Sequence, residues 1–295
     1  MAIRLVSLIM WKYTEMKKMI KIVSVIFLIL NYSLSLNAQN DTLLLKYSPV
    51  KLNKNYFKSY LTDSRDIVTA PFHWNKKQWL TATACIGATV LIYSQDEQIR
   101  KFFQSNRSNF TDNVSKYFFT PLGSGLYSLP FLGVLYIYGN TKNAERAEAA
   151  ALNGVKAYII SRVFAQIIKQ ITHRHRPYQD VPPYPKNWDG PFSDIKYTSF
   201  PSGRTMTAFS IATVLASTYK DKKWVAILSY SLAGFTGLSR LNDDEHWASD
   251  VFVGAVLGIA IGKTIYNNSI GKTKVQIMPT TFNNGYGVSL IVKFD

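Results

Sequence analysis

Apolar stretches of helical length, separated by short polar stretches, constrain the fold of this 295-residue chain more than any other feature. Turn-forming or charged residues separate them, as at 95–97 and 221–223. Runs of this length favour helices, because strands are usually about 4–8 residues long. The apolar stretches lie near residues 79–94, 122–138, 147–171, 205–219, 224–238 and 251–266. We therefore predict an all-α fold, a bundle of about six helices.

Three polar clusters lie beside these predicted helices, and the first contains two cations. Lys169 and Arg176 are two helical turns apart, so on one helix they would lie within about 20° of the same face. Pro177 should end that helix. Two cations on one face repel each other unless an anion lies between them, so the pair predicts an anion site. A solvated basic face is the alternative.

The second cluster is Pro-Ser-Gly-Arg at residues 201–204, directly before an apolar helix. Ser202 can cap that helix. The free backbone N–H groups of Gly203 and the residues after it would then face an anion at the positive end of the helix dipole. Because serine is a common N-cap residue, ordinary capping is the alternative.

The third cluster combines Ser239 and Arg240 with His246 and Asp250. At positions i and i+4 of a helix, Asp250 can accept a hydrogen bond from one imidazole nitrogen of His246. The other nitrogen then keeps its lone pair and can act as a nucleophile. An ordinary surface His-Asp pair is the alternative.

Together the three clusters form a specific pattern: Lys-x6-Arg-Pro, then Pro-Ser-Gly, then Ser-Arg-x5-His-x3-Asp. This order and spacing closely resemble those of the type 2 phosphatidic acid phosphatase / vanadium haloperoxidase superfamily, in particular its lipid phosphatases. The resemblance covers about residues 79–266. It implies that His246 is a nucleophile that forms a phosphohistidine and that Asp250 orients it. It also implies the following phosphate-binding residues: Lys169, Arg176, Ser202, Gly203 and Arg240.

The resemblance implies a metal-independent phosphohydrolase of the acid phosphatase type, without a cofactor. One position departs from the family pattern, because Arg204 stands where the family has a histidine as general acid. Arginine has a pKa above about 12 and cannot donate a proton usefully at neutral pH. General acid catalysis is typically worth about 10²–10⁴-fold, so a simple alkyl phosphate should be hydrolysed poorly.

Three explanations of Arg204 remain open. The substrate can have a good leaving group, as in a pyrophosphate, whose departing phosphate Arg204 would neutralise. Alternatively, His173 can serve as a substitute acid, since it would share the helix face of Lys169 and Arg176. The third explanation is a catalytically impaired relative that binds phosphate or lipid. A vanadate-dependent haloperoxidase also relies on the missing histidine, which argues against that activity.

The net charge of +16 predicts an acidic partner. Because no basic arm or nucleic-acid motif is present, we expect a phosphorylated lipid or another phosphate ester, and a membrane surface, rather than nucleic acid. The single cysteine, Cys85, excludes an intrachain disulfide.

The predicted helical domain, residues 79–268, has three flanking segments. The leader at 1–39 has the features of a signal peptide, with lysines before an apolar run and small residues near Ala38; an uncleaved anchor is the alternative. The N-terminal extension at 40–78 reads as a loop followed by an amphipathic approach to the first long helix. In the C-terminal tail, 269–295, apolar and polar residues alternate around an Asn-Asn-Gly sequence, which predicts a β-hairpin.

The leader predicts an exported protein of the cell envelope, but membrane topology stays open. A spanning helix needs about 20 apolar residues, and most of the predicted segments are shorter. The positive-inside rule places the lysines at 76–77 and 220–223 in the cytoplasm and the three clusters in the periplasm. A cleaved signal peptide would instead place the three clusters inside the cell if all six helices crossed the membrane. We favour a membrane-associated domain whose site faces the periplasm, with a soluble periplasmic domain as the alternative.

Overall fold

The computed structural model describes residues 50–191, 193, 196–270, 274–282 and 285–293. The predicted leader therefore lies outside the described residues. The helices in chain order are α1 (Lys54–Thr69), α2 (Lys76–Tyr93), α3 (Asp96–Ser105), α4 (Asn109–Val114), α5 (Thr120–Ser124), α6 (Ser128–Thr141), α7 (Glu145–Thr172), α8 (Gly203–Thr218), α9 (Lys223–Asn242) and α10 (Ala248–Ser269). A 3₁₀ turn, Ala70–His73, follows α1, and a π-helical turn, Ser115–Phe119, joins α4 to α5.

The prediction of a mainly helical fold is confirmed. The six predicted apolar segments correspond to α2, α6, α7, α8, α9 and α10, and the second of them is broken near Gly125 into α5 and α6. The helices α1, α3 and α4 were not predicted, because their sequences are polar and α3 and α4 are short. α1 occupies part of the extension for which the sequence predicts a loop and an amphipathic approach.

Helix α8 lies at the centre of the domain, in contact with α7, α9 and α10. Most of its side chains are apolar or carry small hydroxyl groups, and twelve of its sixteen residues are buried. The main core cluster joins α7, α8 and α10 through Ala157, Ile160, Ala165, Met206, Val214, Ile261 and Ile265. The N-terminus of α8 carries the second polar cluster, so this packing places that cluster beside the ends of α7 and α10.

Three glycines on one face of α10 allow its close approach to α8. A Cβ atom on Gly254, Gly258 or Gly262 would lie 2.6, 2.4 or 2.5 Å from a backbone carbonyl oxygen of α8 or its N-cap residue. The backbone of α8 cannot move away without disturbing the core on its other sides. The glycine face therefore fixes the distance between the beginnings of α8 and α10.

Replacing Gly258 by alanine should destabilise the folded domain by about 1–3 kcal/mol, because the new methyl group overlaps the carbonyl oxygen of Met206. Chemical denaturation of the purified protein measures this change. Gly234→Ala in α9 is the matched control, since a Cβ there meets no heavy atom within 4 Å. The control should leave stability unchanged or raise it by up to about 1 kcal/mol through helix propensity. Equal effects of the two variants would contradict the proposed close approach.

Two C-terminal strands, β1 (Lys274–Phe282) and β2 (Gly285–Lys293), pair antiparallel, with Phe282 opposite Gly285. The turn predicted at residues 283–284 lies outside the described residues, so the hairpin stays a prediction.

Within the described part of the chain, α10 is long and apolar enough to cross a membrane. The bent pair formed by residues 109–124 and 128–141 would add a second such element. Half of the apolar window of α10 is buried inside the domain, as in a core helix, so length and composition alone do not decide the topology.

Candidate active site

The first cluster lies at the end of α7, but its two cations do not share that helix. α7 ends at Thr172, and His173 adopts a left-handed backbone conformation with φ 41°. The prediction that Lys169 and Arg176 lie two turns apart on one helix is therefore wrong. The chain nevertheless returns them to one place. Lys169 Nζ donates to the carbonyl oxygen of Thr198, and Arg176 Nη2 donates to Oγ1 of the same residue at 3.2 Å.

The second cluster begins α8. Ser202 is the N-cap residue, but the predicted side-chain cap is wrong, because its Oγ is hydrogen-bonded to Oγ1 of Thr205 at 2.8 Å. The first N–H groups of α8 have no intrahelical acceptor and carry the positive end of the helix dipole. Gly203 lies beside Lys169, since a Cβ on Gly203 would be 3.7 Å from Lys169 Cε. Backbone donors and an ammonium group therefore lie together.

The third cluster has a different geometry from the predicted one. His246 lies before α10, which begins at Ala248, so His246 and Asp250 are not paired on one helix as predicted. Nδ1 of His246 is 3.8 Å from Oδ2 of Asp250, too far for a direct hydrogen bond. Ser199 lies between them, because its Oγ is 3.5 Å from Nδ1 and donates to Oδ2 of Asp250 at 2.5 Å. Asp250 therefore orients the imidazole largely through Ser199.

This arrangement favours a nucleophilic imidazole. If Ser199 donates to Asp250, its oxygen accepts from the protonated Nδ1 of His246, and Nε2 keeps its lone pair. Nε2 has no hydrogen-bond partner among the residues that the structure describes. Burial lowers the pKa of His246 to about 3, and the charges of Lys169 and Arg176 act in the same direction. The imidazole is therefore neutral at neutral pH.

A buried ionic network beneath His246 was missed by the sequence interpretation. Arg174 is fully buried; it donates to Oδ1 of Asp250, to Oδ2 of Asp96 at 2.7 Å and to Oγ of Ser249 at 2.8 Å. Asp96 in turn accepts from the backbone N of Ser249 at 2.9 Å. Burial acts to raise the pKa of Asp250, but Arg174 and its hydrogen-bond donors bring it to about 2. The network holds Asp250 as a carboxylate.

The third-cluster cation, Arg240, is buried in α9 beneath the same site. It donates to Thr120 and Asp243 and, at 3.1 Å, to Oγ of Ser239. Arg240 is therefore held from three directions and has little freedom to reorient.

Arg204 is half-buried and, unlike Arg240, makes no hydrogen bond or ion pair within the described residues. Burial lowers the pKa of both Lys169 and Arg240, and the charge of Arg204 acts in the same direction on each. For Lys169, burial and then Arg176 contribute more, and together they lower the pKa to about 7. Such a concentration of cations is stabilised by an anion. No group of three His, Cys, Asp or Glu side chains that could hold a metal ion occurs in the described part of the chain.

His173 is not on a face shared with Lys169 and Arg176, so that prediction is wrong. Its Nδ1 is 2.7 Å from the carbonyl oxygen of Gly190, and the backbone N of Asp189 donates to the carbonyl oxygen of His173. Its buried Nε2 has no partner among the described residues. The ring is thus fixed against the loop around residue 190, which does not favour a role as substitute acid.

Residues 150–273 match the family model of the PAP2 superfamily, and this stretch contains all three clusters. We refer to this stretch, which is similar to that superfamily, as the PAP2 domain. The sequence resemblance to the type 2 phosphatidic acid phosphatases is therefore confirmed.

Individual relatives are similar to parts of this chain. A lipid A 1-phosphatase of Porphyromonas gingivalis is 45% identical over 69 residues, which cover 23% of this chain and 16% of the relative. A probable diacylglycerol pyrophosphate phosphatase 1 of Schizosaccharomyces pombe is 27% identical over 162 residues, 45% of this chain and 58% of the relative. The chain therefore matches less than two thirds of the length of either protein.

Among solved structures, a PAP2-type phosphatidylglycerolphosphate phosphatase from Bacillus subtilis is similar to this chain. The identity is 23% and the TM-score 0.46, over 72% of this chain and 94% of the other.

Proposed function

We propose that the PAP2 domain is a metal-independent phosphohydrolase of the cell envelope that acts on a lipid phosphate or a lipid pyrophosphate. The observation that carries this proposal is the surrounding of His246. It is a neutral imidazole with an unpartnered Nε2 among the described residues, and the charges of Lys169 and Arg176 act on it. The charge of Arg204 acts in turn on Lys169 and Arg240.

Substrate binding would use the cations and the first N–H groups of α8. The terminal phosphate carries up to two negative charges, and its oxygens would accept hydrogen bonds from Lys169, Arg176 and the backbone near Gly203. Arg240 would add a further positive charge. Because these groups are fixed before the substrate arrives, little reorganisation is needed when charge moves in the transition state.

The chemical step would then proceed through a phosphohistidine. Nε2 of His246 attacks phosphorus in line with the leaving oxygen, so the N–P bond forms as the P–O bond to the leaving group breaks. The bonding electrons stay with the leaving oxygen. Asp250 and Ser199 stabilise the positive charge that develops on the ring. Water later attacks phosphorus, the P–N bond breaks, and inorganic phosphate leaves with His246 restored.

Arg204 favours a substrate whose leaving group is itself anionic. In a lipid pyrophosphate the leaving group is the lipid monophosphate, whose negative charge needs little protonation. The guanidinium of Arg204, in contact with that phosphate, would neutralise the charge as the P–O bond breaks. The monoester substrates need a proton donor instead, and Arg204 cannot be that donor.

The lipid part of the proposal rests on exposed apolar side chains. On α7, Ile159, Val163, Ile167 and Ile171 follow one another at four-residue intervals and are 41%, 52%, 51% and 55% exposed. Further exposed apolar side chains lie on α2, α6 and α9. Apolar surface of this extent is typical of a face that contacts a membrane or a partner. We propose that the exported domain is membrane-associated and that its site faces the periplasm.

A phosphate-release panel tests the proposed activity. The purified protein should release inorganic phosphate from an isoprenoid pyrophosphate, a phosphatidic acid and p-nitrophenyl phosphate, with the pyrophosphate as the preferred substrate. Chelator should not reduce the rate. Release from none of the three would contradict the proposal.

The alternative is a catalytically impaired relative that binds phosphate or lipid, and Arg204 is the observation that favours it. Such a protein would bind phosphate or vanadate in titration calorimetry without releasing phosphate from any substrate of the panel.

A further inference from the structure

The PAP2 domain needs a proton donor for monoesters that neither Arg204 nor His173 provides. Two other ionisable side chains lie among the cations of the site, Asp243 and Glu245, both in the segment that joins α9 to His246. Each of them forms an ion pair with a cation that would bind phosphate. A carboxylic acid can serve as a general acid when its surroundings keep it protonated.

Both carboxylate oxygens of Asp243 accept hydrogen bonds. Its Oδ2 accepts from Arg240 and from Oγ1 of Thr120 at 3.4 Å, and its Oδ1 accepts from Nδ2 of Asn242 at 3.4 Å. Its partner Arg240 is held by several other groups. Asp243 therefore serves to position Arg240 rather than to move.

Glu245 has more freedom and a better position. Its Oε2 is paired with Nη1 of Arg176, while its Oε1 accepts no hydrogen bond from the described residues. The side chain is 29% exposed, so it can exchange protons with solvent. Its backbone N donates to the carbonyl oxygen of Arg240 at 3.1 Å, and the next residue is His246. The carboxylate is thus paired with one cation of the site, and its backbone is fixed between Arg240 and the nucleophile.

We propose that Glu245 is the general acid of this PAP2 domain and protonates the leaving oxygen of monoester substrates. This inference rests on the proposed function. An incoming phosphate competes with Glu245 for the guanidinium of Arg176. The displaced carboxylate then lies beside a phosphate anion instead of a free cation, which favours its protonated form.

The proton is then consumed in the first chemical step. As the N–P bond to His246 forms and the P–O bond breaks, the proton of Glu245 moves to the leaving oxygen, and a neutral alcohol departs. Glu245 is left as a carboxylate. It regains a proton from solvent before the next turnover, while water hydrolyses the phosphohistidine. Arg204 and Glu245 therefore act on different substrates. Arg204 neutralises a phosphate leaving group, and Glu245 protonates an alcohol leaving group.

Glu245→Gln tests this role, because glutamine keeps the size of the side chain but cannot donate a proton in this way. For phosphatidic acid, whose leaving group is an alcohol, kcat should fall by about 10²–10⁴-fold. For p-nitrophenyl phosphate, whose leaving group departs without protonation, kcat should change by less than about threefold, because general acid catalysis contributes little there. Steady-state kinetics on both substrates measures the difference.

Asp243→Asn is the matched control, a carboxylate-to-amide change in the same segment. Since Asp243 positions Arg240, Asp243→Asn should change kcat for both substrates by a similar factor. If Glu245→Gln also lowered both rates equally, Glu245 would only position Arg176, and the proposal would be wrong. Unchanged rates on both substrates would overturn it as well. If the wild-type protein hydrolysed neither, the proposed function itself would fail, which is a separate outcome.

Discussion

Replacing His246 by alanine should reduce phosphate release by about 10³-fold or more on every substrate, because the variant lacks the atom that attacks phosphorus. The buried network beneath it does not depend on the imidazole. Arg174, Asp250 and Ser249 remain bonded to one another, so the fold should persist. KM should change much less than kcat, since the cations that hold the phosphate are retained.

The measurement is the phosphate-release panel together with a direct test for the intermediate. With ³²P-labelled p-nitrophenyl phosphate, rapid denaturation in base should trap label on the wild-type protein and none on His246→Ala. The matched control is His73→Ala, since His73 is an exposed histidine whose Nδ1 is hydrogen-bonded to the backbone carbonyl oxygen of Thr69. Equal activity of His246→Ala and the wild type would rule out the phosphohistidine route.

The sequence predicted the long helices because apolar periodicity and length are local properties. Predictions failed where a distant contact decides the geometry. The end of α7 is an example: Pro177 suggested a helix that continues to Arg176, whereas His173 turns the chain three residues earlier. The turn directs Arg174 into the core, where it meets Asp96 and Asp250, and no local pattern shows that these three residues meet.

The same reason explains why the hydrogen bonds of the cluster residues were predicted wrongly. The spacing of His246 and Asp250 suggested a direct helical pair, but α10 begins only after His246. Ser199 fills the gap between them from another loop. A serine three residues before Ser202 offered no signal of its own. Motif spacing identifies which side chains share a site, and the tertiary fold decides which of them touch.

Arg204→His in the Glu245→Gln background should restore the hydrolysis of phosphatidic acid by about 10²–10⁴-fold relative to Glu245→Gln alone. The physical reason is that the double variant regains a proton donor at the start of α8. Histidine is smaller than arginine and keeps its Cβ, and Gly123 leaves that Cβ free, since a methyl group on Gly123 would be 2.8 Å from it. The helix dipole favours the neutral ring there, but a bound phosphate stabilises the imidazolium that must donate.

The single variant Arg204→His should behave differently. Without the guanidinium, kcat/KM for the isoprenoid pyrophosphate should fall by about 10–100-fold, the value of a lost charge-assisted hydrogen bond. Phosphatidic acid should be hydrolysed at least as fast as by the wild type. Steady-state kinetics of the single and double variants on both substrates separates the two roles. A different result would be that neither variant gains monoester hydrolysis and that the wild type binds vanadate without releasing phosphate. The domain would then be a phosphate-binding relative that has lost its activity for reasons other than the arginine at position 204.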